Sequence, residues 1–109
     1  MQHNFELFKR KAELCKAFAD PHRLVIINEL RNGEKTVGEL TRALEISQAV
    51  TSRHLAVLRG RGVVKYRREN NNVFYELSDP RICKACDIVH QVLLEQIEKN
   101  REVAERLVS

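Results

Sequence analysis

The hydrophobic period changes once along this chain, between Val63 and Ser78, and that change dictates the order of its elements. Val64 and Tyr66, then Val73, Tyr75 and Leu77, alternate with polar residues, the period of a half-buried strand. Glu69-Asn70-Asn71-Asn72 lies between the two runs. Asn tolerates positive φ, so the runs are expected to form a hairpin with a polar tip. Apolar residues elsewhere recur every three or four positions, the period of a helix. One antiparallel hairpin set among helices leaves no parallel sheet to build.

Stop and start signals divide the helical parts. Residues 4 to 19 carry Phe5, Phe8, Ala12, Cys15, Phe18 and Ala19 on one face. Asp20-Pro21 ends that helix and opens a second, since Asp caps and Pro suits the first helical position. The second helix is expected to run to about Arg31 with Leu24, Ile27 and Leu30 inward, and Gly33 ends it. Thr36-Val37-Gly38-Glu39 has the capping-box form and opens a short helix presenting Val37, Leu40 and Leu44. After a tight turn at Glu45-Ile46, Ser47 caps a fourth helix that reaches about Arg59, where Gly60 and Gly62 terminate it. Asp79-Pro80 repeats the cap-and-proline device before a last helix over most of Pro80 to Val108.

That last helix would be roughly 40 Å long at 1.5 Å per residue, more than a 100-residue globule spans, with its radius of gyration of about 13 Å. Ile82, Cys86, Val89, Leu93 and Ile97 form its apolar stripe, widened by Ala85, Ile88 and Val92. Such a stripe needs more than one partner, so it is expected to pack on the first helix and on a second copy of the chain.

At 109 residues the chain is read as one domain, 1–109, burying roughly two thirds of its unfolded surface. That leaves little room for a deep catalytic cleft beside a core. Apolar runs reach only four residues, as in Leu24-Val25-Ile26-Ile27, too short to span a bilayer. Met1 to Arg10 lacks a signal-peptide core, which makes a soluble, cytoplasmic protein the expectation, without a membrane partner. The odd set of Cys15, Cys83 and Cys86 then reads as free thiols.

Charge singles out the middle. Lys35 to Asn72 holds eight basic residues against three acids, a surplus of five where the whole chain carries +4. A polyanion contact there is the functional reading, and a solvated basic face is the bland one. The short helix, the tight turn and the helix behind them follow the helix-turn-helix plan, and a basic hairpin makes it winged. The fold expected is therefore mainly α with a small β-hairpin wing, α-α-α-α-β-β-α. Projected at about 100° per residue, the fourth helix puts Val50, His54, Val57 and Leu58 on one side, with Leu55 at its edge. Gln48, Ala49, Ser52, Arg53, Ala56 and Arg59 fall on the other, with no acid among them. Gln suits adenine, Arg suits guanine or phosphate, and Ser reaches either class of partner. Thr51 joins this set as a DNA-contacting candidate. In the hairpin, Lys65, Arg67, Arg68, Asn70, Asn71 and Asn72 suit phosphates and the minor groove.

Phe18-Ala19-Asp20-Pro21-His22-Arg23-Leu24, Ser47-Gln48-Ala49-Val50-Thr51-Ser52-Arg53-His54-Leu55-Ala56-Val57-Leu58 and Val73-Phe74-Tyr75-Glu76-Leu77 together resemble the ArsR/SmtB family. The resemblance spans nearly the whole chain. It implies a dimeric winged-helix repressor that leaves operator DNA on binding a metal, a metalloid or another inducer. It also implies that Gln48, Ser52 and Arg53 read double-stranded DNA and that the first and last helices form a homodimer interface. Two family sensor sites do not carry over. Thr36-Val37-Gly38-Glu39-Leu40 stands where arsenic and lead sensors have Cys-x-Cys, and Asp79-Pro80-Arg81 and Val92-Leu93-Leu94-Glu95 lack the imidazoles of zinc sensors.

What remains for sensing is Cys83, Cys86, Asp87 and His90, on one side of the last helix. Two thiolates and an imidazole suit arsenite, cadmium or zinc. A thiol near a helix start is equally suited to oxidation. Cys15 on the first helix offers a third sulfur, from the same subunit or its partner. Packing accounts for the same cysteines, because Cys commonly fills buried space. His54 is expected to be a buried, hydrogen-bonded imidazole, and His22 is given no role. A thiol oxidoreductase is the enzyme alternative, but it needs Cys-x-x-Cys after a strand of a βαβ unit, so no catalytic activity is expected. A protein-binding winged helix is the other.

Overall fold

The computed structural model of the protein describes residues 4–108; the single-domain reading also takes in residues 1–3 and 109, which lie outside the described residues. The elements follow the expected order with one addition. Helix α1 spans Phe5–Lys16, α2 Pro21–Glu29, α3 Val37–Leu44, α4 Gln48–Gly60 and α5 Arg81–Val108. A two-residue strand, β1 (Lys35–Thr36), precedes α3, and β2 (Val64–Glu69) and β3 (Asn72–Leu77) make the hairpin. The sheet order is β1-β3-β2, antiparallel throughout, with Lys35 opposite Tyr75 and Tyr66 opposite Tyr75 on its other side. Strand β1 has no sequence signal of its own. Two residues cannot display a period, and pairing with β3 alone makes them a strand.

The caps are those the sequence announces. Asp20 Oδ1 accepts the N–H groups of His22 and Arg23 at 2.8 and 3.2 Å. The Thr36–Glu39 capping box is complete in both directions. At the end of α4, Val63 N–H donates to Leu58 O at 2.8 Å and Gly62 N–H to Arg59 O at 3.0 Å. This is the Schellman arrangement, with Gly62 in the left-handed position at φ 76°. The hairpin turns on Asn70 and Asn71, at φ 49° and 68°. Both central residues of a type I′ turn need positive φ, which is why Asn stands at each.

The core contains Ala17, Ile26, Ile27, Leu30, Leu40, Leu55, Leu58, Val63, Val64 and Cys83. Two inward faces differ from the sequence reading. Leu24 is 42% exposed, and the buried stripe of α2 begins instead at Arg23 and continues through Ile26, Ile27 and Leu30. Arg23 takes that slot because its guanidinium closes the end of α1, donating to Ala17 O at 2.9 Å and Lys16 O at 3.0 Å. In α4 the inward stripe is Thr51, Leu55 and Leu58, while Val57 is 37% exposed.

Helix α1 buries none of its own residues and α5 buries only Cys83. At 28 residues α5 is about 42 Å long. The radius of gyration is 17.5 Å, well above the roughly 13 Å of a compact 100-residue domain, because α5 projects from the winged part. Along it Ile88, Val89, Val92, Leu93, Leu94 and Ile97 are exposed, and on α1 so are Phe5, Leu7 and Leu14. No described helix is long and apolar enough to cross a membrane.

Candidate nucleic-acid interface

Helices α3 and α4 meet through Glu45, which adopts the left-handed conformation at φ 55°, and through Ser47, whose hydroxyl accepts Val50 N–H at 3.2 Å. The turn aims the first residues of α4 outward. Gln48, Ala49, Ser52, Arg53, Ala56 and Arg59 are all exposed, as the helical projection requires. No acid stands in the first turn of α4, so its free N–H groups and positive dipole end face outward uncompensated. Thr51 must be removed from the contact set. It is fully buried, and its hydroxyl donates to Ser47 O at 3.0 Å. That internal bond is what lets a polar residue occupy the core stripe.

The basic surplus sorts into two classes. Arg61 pairs with Glu13, Lys65 lies 3.5 Å from Glu76, and Arg67 is held by Glu34 (2.9 and 2.5 Å) and by Glu69. Arg67 also lies 4.5 Å over the Phe74 ring. Glu34 first and then Glu69 raise the Arg67 pKa further, and Arg67 in turn lowers that of Glu34. Arg67 is therefore a clamp between the approach to β1 and the wing, not an open phosphate contact. Among the described residues, Arg42, Arg53, Arg59 and Arg68 form no ion pair. Asn70 and Asn71 sit exposed at the wing tip, one residue beyond the Arg68–Glu69 end of β2.

Tyr66, read from the sequence only as a strand residue, is a contact at this surface that the sequence reading missed. Its ring carries Arg59 at 4.8 Å and Arg68 at 5.9 Å, and it stacks 5.8 Å from Tyr75 across the sheet. The Arg59 cation–π contact thus joins the end of α4 to the wing, and the Arg68 contact lies within β2. The available signal was the two-residue spacing of Tyr66 and Arg68 on one strand face.

The sensor candidates are dispersed within one chain. Cys83 is buried, with its thiol 3.7 Å from Ile27 O. Cys86 is half-buried, and burial first, then the neighbouring Cys83 and Asp87, push its thiol up, away from the reactive thiolate. Cys15 and His90 are exposed. Asp87 is committed to a two-point pair with Arg31, at 2.9 and 2.7 Å. Among the described residues these side chains make no cluster of three donors, and Cys83, near the start of α5, is packed against α2.

Comparison with known proteins agrees with this geometry. Residues 20–66, from the cap of α2 into β2, match the family described as "Bacterial regulatory protein, arsR family". The transcriptional activator HlyU of Vibrio cholerae is 42% identical over 79 residues, 72% of this chain and 73% of that protein. Its solved structure superposes with a TM-score of 0.71 at 38% identity, covering 84% of this chain and 97% of that one. A homodimeric winged helix-turn-helix DNA-binding domain from Mycobacterium bovis, titled a possible ArsR-family transcriptional regulator, gives a TM-score of 0.79 at 27% identity over 90% of this chain and 93% of its own. An exposed acid-free helix on a helix-turn-helix, a wing turning on two asparagines and relatives of this similarity lead to one conclusion: the chain belongs to the ArsR family of transcriptional regulators, as a winged helix-turn-helix protein.

Proposed function

We propose that this protein binds an operator as a homodimer and represses transcription until an inducer releases it. Helix α4 lies in the major groove, which admits one helix, and the wing follows the backbone beside it. Gln48, Ser52 and Arg53 read base edges; Arg59, Arg68, Asn70 and Asn71 contact phosphates and the minor groove. The observation that carries this reading is the outward face of α4, exposed and free of acids, with Arg53 in no ion pair among the described residues. The exposed apolar faces of α1 and α5 supply the dimer contact and fix the half-site spacing. The setting is the cytoplasm, and the protein has no catalytic role.

Release is assigned to Cys83 and Cys86, with Cys15 or His90 of either subunit completing a site for arsenite, cadmium or zinc, or with oxidation of the thiols. The spacing of Cys83 and Cys86 one helical turn apart on α5, with Cys86 half-buried, supports this reading. A C83S/C86S protein is expected to bind DNA and to keep it in the presence of those agents; release retained in that variant makes the thiols structural.

The binding test is duplex titration at several salt concentrations. Affinity is expected to fall steeply with salt, and Arg53→Ala to cost about 1–3 kcal/mol and relax preference at one base pair. A chain that sediments as a monomer and ignores every duplex overturns the proposal. Because HlyU is named an activator, the sign of regulation is read separately, from a reporter behind the operator.

A further inference from the structure

Where α1 turns into α2, three side chains with metal-ligating atoms converge on one point. Asp20, His22 and His54 each offer a donor atom, and these atoms lie within 4.8 Å of one another. His22 Nδ1 is 4.0 Å and His54 Nδ1 3.9 Å from Asp20 Oδ1, and the two imidazole centroids are 5.4 Å apart. All three side chains are partly buried, His54 most, with 15% of its side chain exposed. Two of them come from the start of α2 and one from the middle of α4, 34 residues from Asp20 along the chain.

The separations are informative. Direct N–H···O hydrogen bonds need about 2.7–3.2 Å, so the imidazole nitrogens and Asp20 Oδ1 face one another without closing. Two donors at about 2.1 Å from a common tetrahedral ion lie about 3.4 Å apart, so each imidazole nitrogen must close on Asp20 Oδ1 by about half an ångström, and the widest donor pair, within 4.8 Å, by up to about 1.4 Å. Arg23 Nη1 lies 3.5 Å from His54 Nδ1 at the border of this cluster. Asp20 Oδ1 also accepts the His22 and Arg23 N–H groups at 2.8 and 3.2 Å, which fixes its carboxylate at the mouth of the cluster. Arg23 is the cation bordering the cluster. It is anchored independently on Ala17 O and Lys16 O, so an arriving ion displaces one contact and not the side chain.

We propose that Asp20, His22 and His54 form a binding site for a borderline divalent cation such as Zn(II) or Co(II), with water completing a four-coordinate shell. Two imidazoles and one carboxylate are a ligand set suited to such ions. The bound ion would tie the corner between α1 and α2 to the middle turn of α4, the helix assigned to the groove. The site lies within one subunit and uses no thiol, so it is separate from the cysteine sensor proposed above.

The test is a titration of the full-length reduced chain with Co(II) in a phosphine reductant, without DNA, followed by visible absorption and calorimetry. The expected result is a ligand-field spectrum of nitrogen and oxygen donors with no sulfur charge-transfer band. His22→Gln and Asp20→Asn are each expected to weaken binding tenfold or more. His22 is nearly half exposed, and Asn retains the helix cap, so both variants should fold; unfolding curves check that. A Co(II) affinity unchanged in both folded variants, a spectrum dominated by thiolate bands, or no binding at millimolar Co(II) overturns the site. Since no DNA is present, failure here leaves the operator reading intact, and failure of operator binding leaves this titration interpretable.

Discussion

Arg67 and Arg68 are neighbours on one strand, equal in charge, and the structure surrounds them differently. Arg67 is enclosed by Glu34, Glu69 and the Phe74 ring, while Arg68 lies against Tyr66 at the exposed end of the wing. Only Arg68 is available to release a phosphate counterion. Each neutralised phosphate contributes about −0.9 to the slope of log K against log salt. A symmetric dimer loses two such contacts in Arg68→Gln, so its slope should flatten by about 1.8. Between 50 and 200 mM salt, a fourfold change, the parent should lose about 12 times more affinity than the variant does. The control is Glu34→Gln with Arg67→Gln, which dissolves the clamp while preserving net charge; its slope should match the parent's. Fluorescence anisotropy on a labelled duplex, at four salt concentrations, gives all three slopes. A slope that flattens equally in the Arg67 and Arg68 proteins, or only in the Arg67 protein, refutes the division of labour argued from these contacts.

Three further outcomes follow from particular residues. Gly62→Ala should cost about 1–2 kcal/mol in urea unfolding, because φ 76° strains a Cβ while nothing within 4 Å obstructs it; an unchanged midpoint would show that the cap relaxes without strain. Asp79 accepts the Arg81 guanidinium and N–H groups, which lower its carboxyl to about 2. A depressed folded-state value means that the contribution is complete above the free aspartate value of about 3.9 and disappears as pH falls through about 2. Asp79→Asn should therefore flatten the stability–pH curve between those values, as read by circular dichroism, and leave it unchanged at neutral pH apart from a constant offset. Cys83, only 6% exposed, should resist alkylation in the native protein and react on unfolding, as followed by peptide mass mapping. Native labelling of Cys83 as fast as in the denatured chain would contradict its place against Ile27.

Element order was legible because each boundary carries its own chemistry: a cap and proline at Asp20-Pro21 and Asp79-Pro80, a capping box at Thr36, paired asparagines at the wing tip. The faces of the helices were less legible. Hydrophobicity chose Leu24 and Val57 as core, whereas the chain buries Arg23 in part and Thr51 fully, because each finds backbone carbonyls to satisfy. A periodicity argument cannot see a polar group whose partner lies in another turn or another helix. The same limit applies to charge. The surplus of cations in the middle is a sum, and it does not show that Glu34, just outside the window, pairs with Arg67 across 33 positions. It also hides Glu13, which holds Arg61 from α1. The outward residues of α4 were legible because exposure there depends only on helical geometry.

Helix α5 connects the two proposed surfaces mechanically. Its first turns are fixed to the winged part: Cys83 sits in the core against Ile27, and Asp87 grips Arg31 in the 3₁₀ turn that follows α2. Its later turns carry the exposed apolar residues that a second subunit would cover. A helix is stiff over this length, so its angle to α2 sets where the winged part stands relative to the dimer axis. The Arg31–Asp87 pair is solvent-exposed and thus a weak source of stability, but it lies at the fulcrum, where a small change in angle becomes a large displacement of α4. Cys83 and Cys86 stand four residues and one residue before Asp87 on the same helix. In the dimer proposed above, chemistry at those sulfurs would need no contact with DNA to alter the spacing of the two α4 helices. A rotation of α5 about its buried first turn would be enough, with groove spacing converting that rotation into lost affinity.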